Sequence, residues 1–498
     1  MLSQVIYRNY ISCKFVKTLQ RSAMKQILLF TACLLFINSS FAQKQLWGMA
    51  GANGTVKGTI FKTDSAGDNY SDVYTFNDPT NGLEPYGSLV KAANGYLYGL
   101  TSRGGTKGFG VLFRLDPVTG AYTKKHDFDS VNGKTPYGSL VQAPNGKLYG
   151  MTYSGGSYTG NANIGVLFEF DPATDAFAVK VDFLLENAAR AYGSLVVGSD
   201  ARLYGLTSGG GADASGLLFN FDIPTNTFTR LESFISGPGW EGFDPRGQLV
   251  QAADGSFYGL SRYGQAGWSG GGVVFRYDPA APLFNKMTAL HKFIDTLPGS
   301  QNGNDLMGSL IQAVNGKLYG MTRLGGINDA GTIFEYDLVA DTCTKLYDLN
   351  NTTDGFGPYG SLMQASDGNL YGLTTSQGGQ ARLFRYNIAV NTLTVKANVT
   401  GTPHYTALIE ATTTTGLNNH PFNAALKIYP MPARNIIYLD IPVAHRYGTV
   451  VITDISGKVT KRQDGEINTI NVADLPTGVY FLAATVDGNV LHGQVVKN

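Results

Sequence analysis

From Gln45 to Ala411 the chain alternates short apolar or aromatic runs with clusters of turn residues, and the runs come in sets of four. One set reads "GSLVQA" (Gly138 to Ala143), "KLYGMT" (Lys147 to Thr152), "GVLFEFD" (Gly165 to Asp171) and "FAVKVDF" (Phe177 to Phe183). Each run is rich in β-branched or aromatic side chains and bounded by Gly, Pro, Asn or Asp, which predicts four short strands. Between the first two runs stands Asn-Gly or Asp-Gly (Asn94-Gly95, Asn145-Gly146, Asp254-Gly255, Asn315-Gly316, Asp367-Gly368), and these pairs predict a two-residue hairpin turn with positive φ. Between the last two, "DPATD" (Asp171 to Asp175) uses proline to preset a turn.

The glycine that opens each set recurs at Gly87, Gly138, Gly193, Gly247, Gly308 and Gly360, with Gln248 in place of serine in the fourth copy. Four antiparallel strands at such a period describe a propeller blade better than a solenoid coil. Gly-Ser at the start of the innermost strand leaves room for neighbouring blades to crowd around a channel. Before the first full set, "QLWGMAG" (Gln45 to Gly51), "GTIFKTD" (Gly58 to Asp64) and "DVYTF" (Asp72 to Phe76) match the last three strands of a blade with no first strand. Far downstream "TALIEA" (Thr406 to Ala411) aligns with "GSLMQA" (Gly360 to Ala365). The expectation is an all-β, seven-bladed β-propeller of four-stranded blades over residues 43–411, its first blade closed by a carboxyl-terminal strand so that no edge is left unpaired. An unclosed ring of six blades plus a fragment is the alternative.

The unit spelled from Gly138 to Asp171, "GSLVxAxdGxLYGxTxxGGxxxxGxLFxxd", resembles the bacterial tandem repeat called GloVer. The similarity runs from about Gln45 to Ala411 and implies an exported repeat protein, without implying a reaction.

After a threonine-rich linker (412–419) the spelling changes. Residues 420–498 carry short alternating runs, "NIIYLDIP" (Asn435 to Pro442), "TVVITDISG" (Thr449 to Gly457) and "GVYFLAATVDG" (Gly478 to Gly488), which predict a small immunoglobulin-like β-sandwich. These phrases are similar to the type A sorting domain of the type IX secretion system: "IYPMPA" (Ile428 to Ala433), "DISGKV" (Asp454 to Val459), "LPTGVYFL" (Leu475 to Leu482) and "VVKN" (Val495 to Asn498). Met431 replaces the family's asparagine, and Asn498 extends past the terminal lysine. The resemblance assigns the sorting signal to Tyr429, Pro430, Pro432, Gly457, Gly478, Tyr480 and Lys497. It implies the type IX machinery as partner, export through periplasm and outer membrane, and removal of this domain with release or surface attachment.

At the other end, "ILLFTACLLFI" (Ile27 to Ile37) before Ser40-Phe41-Ala42 reads as a signal peptide over residues 1–42, in which the basic stretch before Met24 is either an extended amino-terminal region or a misassigned upstream start. The mature chain then holds no transmembrane anchor. Cys343 is its lone cysteine, so no internal disulfide is expected. A net charge of +1 gives no general pull toward nucleic acid.

Candidate chemistry is sparse. The six histidines, at 126, 291, 404, 420, 445 and 492, show no metal-ligand spacing, and neither metal nor cofactor is expected. The glycine-rich loops lack the lysine and helix of a phosphate cradle. Acidic residues between blades (Asp127, Asp129, Glu232, Glu241, Asp244, Asp295, Asp305) could supply a carboxylate pair for glycoside cleavage. The tyrosine of "LYG" (Tyr98, Tyr149, Tyr204, Tyr258, Tyr319, Tyr371, with Trp47 as counterpart) recurs in every unit, which suits packing. The position before "GSL" varies: Tyr86, Tyr137, Tyr192, Tyr359 and Tyr405, but Arg246 and Met307 in two units. These side chains are expected around one mouth of the channel. The long connections after the outer strands carry Trp240, and a nearby loop carries Trp268, so Trp240, Arg246 and Trp268 are candidate ligand contacts. The resulting reading is a secreted or cell-surface binding module for a glycan or surface protein. A polysaccharide hydrolase or lyase, and a structural surface protein, are the alternatives.

Overall fold

The computed structural model describes residues 42–54, 56–157, 164–184, 187–235, 242–264, 271–282, 286–293, 302–414, 428–429, 432–439, 447–454, 458–486 and 489–498. The leader, Trp240, Glu241, Trp268, Asp295, Pro430 and Gly457 lie outside the described residues. The chain divides into a compact unit Gln43–Thr413 and a second one holding Thr414–Asn498.

In the larger unit, seven four-stranded sheets follow one another, a propeller-like all-β arrangement. Six are built from four consecutive strands, as in Val141–Gln142, Leu148–Met151, Val166–Phe170 and Phe177–Asp182. The remaining sheet joins Ala42–Ala50, Thr59–Asp64 and Ser71–Thr75 to the distant strand Ile409–Thr414, which lies beside Ala42–Ala50. The two middle strands of each sheet are almost wholly buried, so their runs are mainly apolar with partly exposed polar residues such as Glu169, whereas the outermost strands are half-exposed.

Two expectations about local structure are corrected. "GSLVQA" forms only a two-residue strand, because its serine N–H does not enter a ladder. Ser139 N–H donates instead to Ser194 Oγ of the next sheet at 2.7 Å. Such bonds run around the whole unit, from Ser88 to Ser139 (2.7 Å), Gln248 to Ser309 (2.7 Å), Ser309 to Ser361 (2.8 Å), Ser361 to the Thr406 carbonyl (3.2 Å), and Ala407 back to Ser88 Oγ (2.7 Å). Gln248, which lacks a hydroxyl, reaches back through Nε2 to the Leu195 carbonyl at 2.9 Å. The initial glycine is required by close approach: a Cβ on Gly138 or Gly193 would lie well under 3.0 Å from the carbonyl oxygen of the next glycine in the circuit.

The Asn-Gly turn is also longer than expected. Gly146 N–H donates to the Ala143 carbonyl, and Ala143 N–H to the Lys147 carbonyl, so Pro144 and Asn145 are the central residues. Gly146 alone of these takes positive φ, at 81°. This is a three-residue hairpin loop, a four-residue turn from Ala143 to Gly146 whose last residue is the left-handed glycine. The asparagine instead secures a side chain of the next strand: its Nδ2 donates to Tyr149 Oη at 2.8 Å, and the same pairing recurs at Asn94–Tyr98 and Asn315–Tyr319. Asp200, Asp254 and Asp367 accept from Tyr204, Tyr258 and Tyr371 in the corresponding places. All six tyrosines and Trp47 are buried, in agreement with packing between sheets.

In the smaller unit a three-stranded sheet (Ile428–Tyr429, Ile436–Leu439, Thr469–Asn471) and a four-stranded sheet (Val459–Glu466, Tyr447–Asp454, Gly478–Val486, Asn489–Lys497) share one core of Ile437, Ile470, Val450, Ile452, Leu482 and Val495.

Candidate functional site

Three residues before each opening glycine the backbone enters the left-handed region, at Glu84, Thr135, Arg190, Asp244 and Asp305 (φ 55 to 59°). Non-glycine residues held there signal a locally over-determined structure. A carbonyl from this position accepts from the residue that follows the second strand: Asp244 from Arg262 N–H at 3.3 Å, and Asp305 from Arg323 N–H at 3.0 Å. The fold thereby sets the chain just before "GSL" beside the end of the second strand, and side chains from both places meet in one cluster.

Four of the expected tyrosines meet there. Tyr137 stacks on Tyr192 (5.3 Å between centroids) and meets Tyr86 edge-on (4.9 Å), while Tyr405 lies 5.8 Å from Tyr192 and 6.4 Å from Tyr86. Tyr153 fills the angle between Tyr137 and Tyr192, at 5.4 and 4.9 Å. His404 stacks on Tyr86 at 4.5 Å and connects the group to Tyr359, 6.1 Å away. All of these rings are half-buried. Burial raises the Tyr86 phenol to about 12 and lowers His404 to about 4.

Arg246 lies over the Tyr192 ring at 4.4 Å and donates to Tyr405 Oη at 3.3 Å. Its Nε donates to both oxygens of Asp244 at 3.1 and 3.0 Å. An ionic chain continues from there: Arg262 approaches Asp244 at 3.7 Å and Asp305 at 2.6 Å, and Arg323 donates to the second Asp305 oxygen at 2.5 Å. Arg323 also reaches Tyr359 Oη at 3.3 Å. Burial pushes the Asp244 carboxyl up despite the adjacent guanidiniums. Burial opposes the charge of Arg246, but Asp244 beside it wins, and its pKa moves up. Tyr192, Arg246 and Tyr405 line, with Met307 and the Gly-Ser segments, a cavity of about 20 Å³, with space for roughly one water.

The structure thus gathers Tyr86, Tyr137, Tyr192, Tyr405 and Arg246 in one cluster, with Tyr359 at its margin and buried Met307 beside the same cavity. Trp240 and Trp268 lie outside the described residues. Of the acidic candidates, Asp244 and Asp305 are brought to one arginine. Asp127 pairs with Lys124 on an outer strand, Asp129 caps its own loop, and Glu232 stands on an outer strand. His126 stacks on Phe177 at 3.8 Å, away from the mouth. Reading the sequence missed Tyr153, Arg262, Arg323 and His404. For Tyr153, Arg262 and Arg323 the signal was a departure from the repeat: "MTYSGG", "LSRYG" and "MTRLGG" place a large side chain where Ser102 and Ser208 stand in other units.

In the smaller unit Tyr480 is buried and its hydroxyl donates to the Pro476 carbonyl at 2.8 Å; Gly478 begins the same strand. Tyr429 and Pro432 are exposed, and Tyr429 stacks on Tyr438 at 5.7 Å. Lys497 is buried at the end of the last strand.

Repeated four-stranded sheets, closed by a hydrogen-bonded inner circuit and followed by a separate β unit, define a propeller-like repeat protein with an appended domain. The chain belongs to the Gloeobacter/Verrucomicrobia repeat family, whose model matches residues 38–183, 157–313 and 284–416. Residues 427–498 match the secretion system C-terminal sorting domain, which marks the protein for export to the cell surface or medium by the type IX machinery. Among the described residues no helix is long and apolar enough to cross a membrane. A search of curated proteins finds no match. Among solved structures, the periplasmic gluconolactonase PpgL of Pseudomonas aeruginosa is 15% identical with a TM-score of 0.52, over 74% of this chain and 99% of that one. A protein from Lactobacillus plantarum is 14% identical with a TM-score of 0.51, over 74% and 100%. At such identities the likeness concerns fold alone.

Proposed function

We propose that this protein is an exported seven-bladed β-propeller, residues 43–411, that binds a glycan or a surface protein at the tyrosine-lined mouth of its channel. In this proposal residues 1–42 are a signal peptide, 412–419 a linker, and 420–498 an immunoglobulin-like sandwich bearing the sorting signal. The observation that carries the reading is the convergence of Tyr86, Tyr137, Tyr192 and Tyr405, from four separate repeats, with Arg246 in one half-buried cluster. The "LYG" tyrosines are spelled alike in every full repeat and are buried, as packing residues should be. Those at the mouth are partly exposed and broken in symmetry by Arg246 and Met307, which suits a ligand that lacks seven-fold symmetry. Half-exposed aromatic faces favour sugar rings and the apolar anchors of partner proteins.

A polysaccharide hydrolase or lyase is the second reading, and it draws on Asp244 and Asp305. Against it, both carboxylates already accept from guanidiniums, which suits a fixed scaffold better than a mobile proton. Incubation of the purified full chain with a glycan panel separates the readings. Retention without cleavage supports the binder, new reducing or unsaturated ends support the enzyme, and neither supports a structural surface protein. Alanine at Tyr137, Tyr192, Trp240, Arg246 and Trp268 then tests the location: unchanged affinity in all five, with the fold intact, removes the mouth.

A further inference from the structure

We propose that the mouth selects a carboxylate-bearing sugar, a uronic acid residue, through the arginine chain beside its tyrosines. The proposal rests on the mouth being the ligand site and names the class of ligand.

Three guanidiniums alternate with two carboxylates in the order Arg246, Asp244, Arg262, Asp305, Arg323. Both aspartates are spent: Asp244 is held by Arg246 and Arg262, and Asp305 by Arg262 and Arg323. One positive charge is left over. The carboxylates lie deepest, their side chains 10% and 9% exposed, whereas the arginines are 17%, 19% and 23% exposed. The accessible side of the network is therefore cationic. The other ion pair at this mouth, Arg103 with Glu84 at 3.3 Å, is already balanced.

Excess charge in a partly desolvated cluster is costly, and a bound anion removes the cost. The aspartates take the Nε and Nη2 edge of Arg246 and Arg323 and so hold these guanidiniums in fixed orientation, which leaves the outer Nη1–Nη2 edge, whose Nη1 also donates to Tyr405 or Tyr359, to meet a ligand. A planar fork matches a carboxylate through two parallel N–H···O bonds. Arg246 and Arg323 also lie over the Tyr192 and Tyr359 rings, at 4.4 and 5.3 Å. Anion donors and aromatic platforms are thus held side by side, the two features that a pyranose ring with a C6 carboxylate requires. A neutral sugar would use the tyrosines but leave the charge unmatched.

The test compares probes that differ only in charge. Calorimetric titration of the purified full chain with oligogalacturonate, and with the same oligomer as its methyl ester, keeps the sugar and masks the carboxylate. Oligoalginate supplies a second uronate and sulfated dextran oligomers a second anion. At least one of the two uronates is expected to bind, more weakly as salt is raised. If oligogalacturonate binds, its ester is expected to bind at least tenfold more weakly. Arg246→Gln and Arg323→Gln are expected to weaken uronate binding at least tenfold. The melting temperature of each variant shows that it is folded, and the ester comparison stands without any variant. Equal affinity for acid and ester, preference for sulfated oligomers, or no binding of either uronate overturns the inference. Binding of neutral glycans alone, lost in Tyr137→Ala and Tyr192→Ala, would leave the mouth as a binding site while removing its selectivity. Full affinity in those tyrosine variants would instead remove the site itself.

Discussion

Ala407 donates its backbone N–H to Ser88 Oγ at 2.7 Å across 319 residues of sequence. That bond closes the inner circuit, and the neighbouring strand Ile409–Thr414 supplies the sheet edge that Ala42–Ala50 otherwise lacks. Leu408, 2% exposed, sits between them in a cluster with Leu46, Phe61, Tyr371 and Leu373. Leu408→Asp removes an apolar side chain from that cluster and buries a carboxyl without a partner. The expected loss is at least about 4 kcal/mol, read by denaturant unfolding. A parent-like midpoint would show that the strand does not hold the ring.

Gly193 and Gly146 make a paired test of why glycine stands where it does. Alanine at Gly193 meets the backbone carbonyl of Gly247, which cannot move without disturbing the circuit. Alanine at Gly146 meets open space and suffers only from its left-handed backbone. The second change is expected to cost about 1 kcal/mol and the first severalfold more. Equal costs would mean that crowding at the channel is not what demands glycine.

His404 predicts an acid response. Burial lowers its pKa to about 4, below the ordinary value near 6.5, so the folded state prefers the neutral ring that stacks on Tyr86. The contribution is fully present above about pH 6.5 and is lost as pH falls toward 4, up to about 3 kcal/mol. Unfolding free energies for the parent and His404→Gln are expected to converge as pH falls through this window. Parallel profiles would remove His404 as the source.

Removal of residues 427–498 is expected to leave the repeat unit folded and retained in the periplasm, measured by cell fractionation. Unimpaired delivery of the shortened chain to the surface would mean that another segment carries the address.

Much of this fold was legible because repetition turns a weak strand signal into many concordant ones. The closing strand was visible as "TALIEA", a first strand without the rest of its sheet. What the spelling could not show is where a backbone N–H goes: "GSLVQA" reads alike whether Ser139 pairs along a ladder or across to Ser194. The Asn-Gly pair likewise marks a turn without counting its residues, and the bond from Asn145 to Tyr149 appears only in three dimensions. At the mouth, the position before "GSL" stood out because Arg246 and Met307 break its run of tyrosines. Arg262 and Arg323 break it as well, yet they resemble ordinary turn residues until the fold sets Arg262 beside Asp305, 43 residues away.

Six sheets are each made from one continuous stretch of chain, so their contacts are local and each can form as soon as its own strands exist. The first sheet cannot: Lys44 meets Glu410 only after 366 further residues have been made. Topology therefore concentrates the long-range part of folding into one late event, the slow kind of step when distant strands must find each other. Until it happens, Ala42–Ala50 presents an open strand edge to any passing chain. Assembly of this protein is consequently governed by an order of arrival, in which the earliest described strand waits for the last one before the sorting domain.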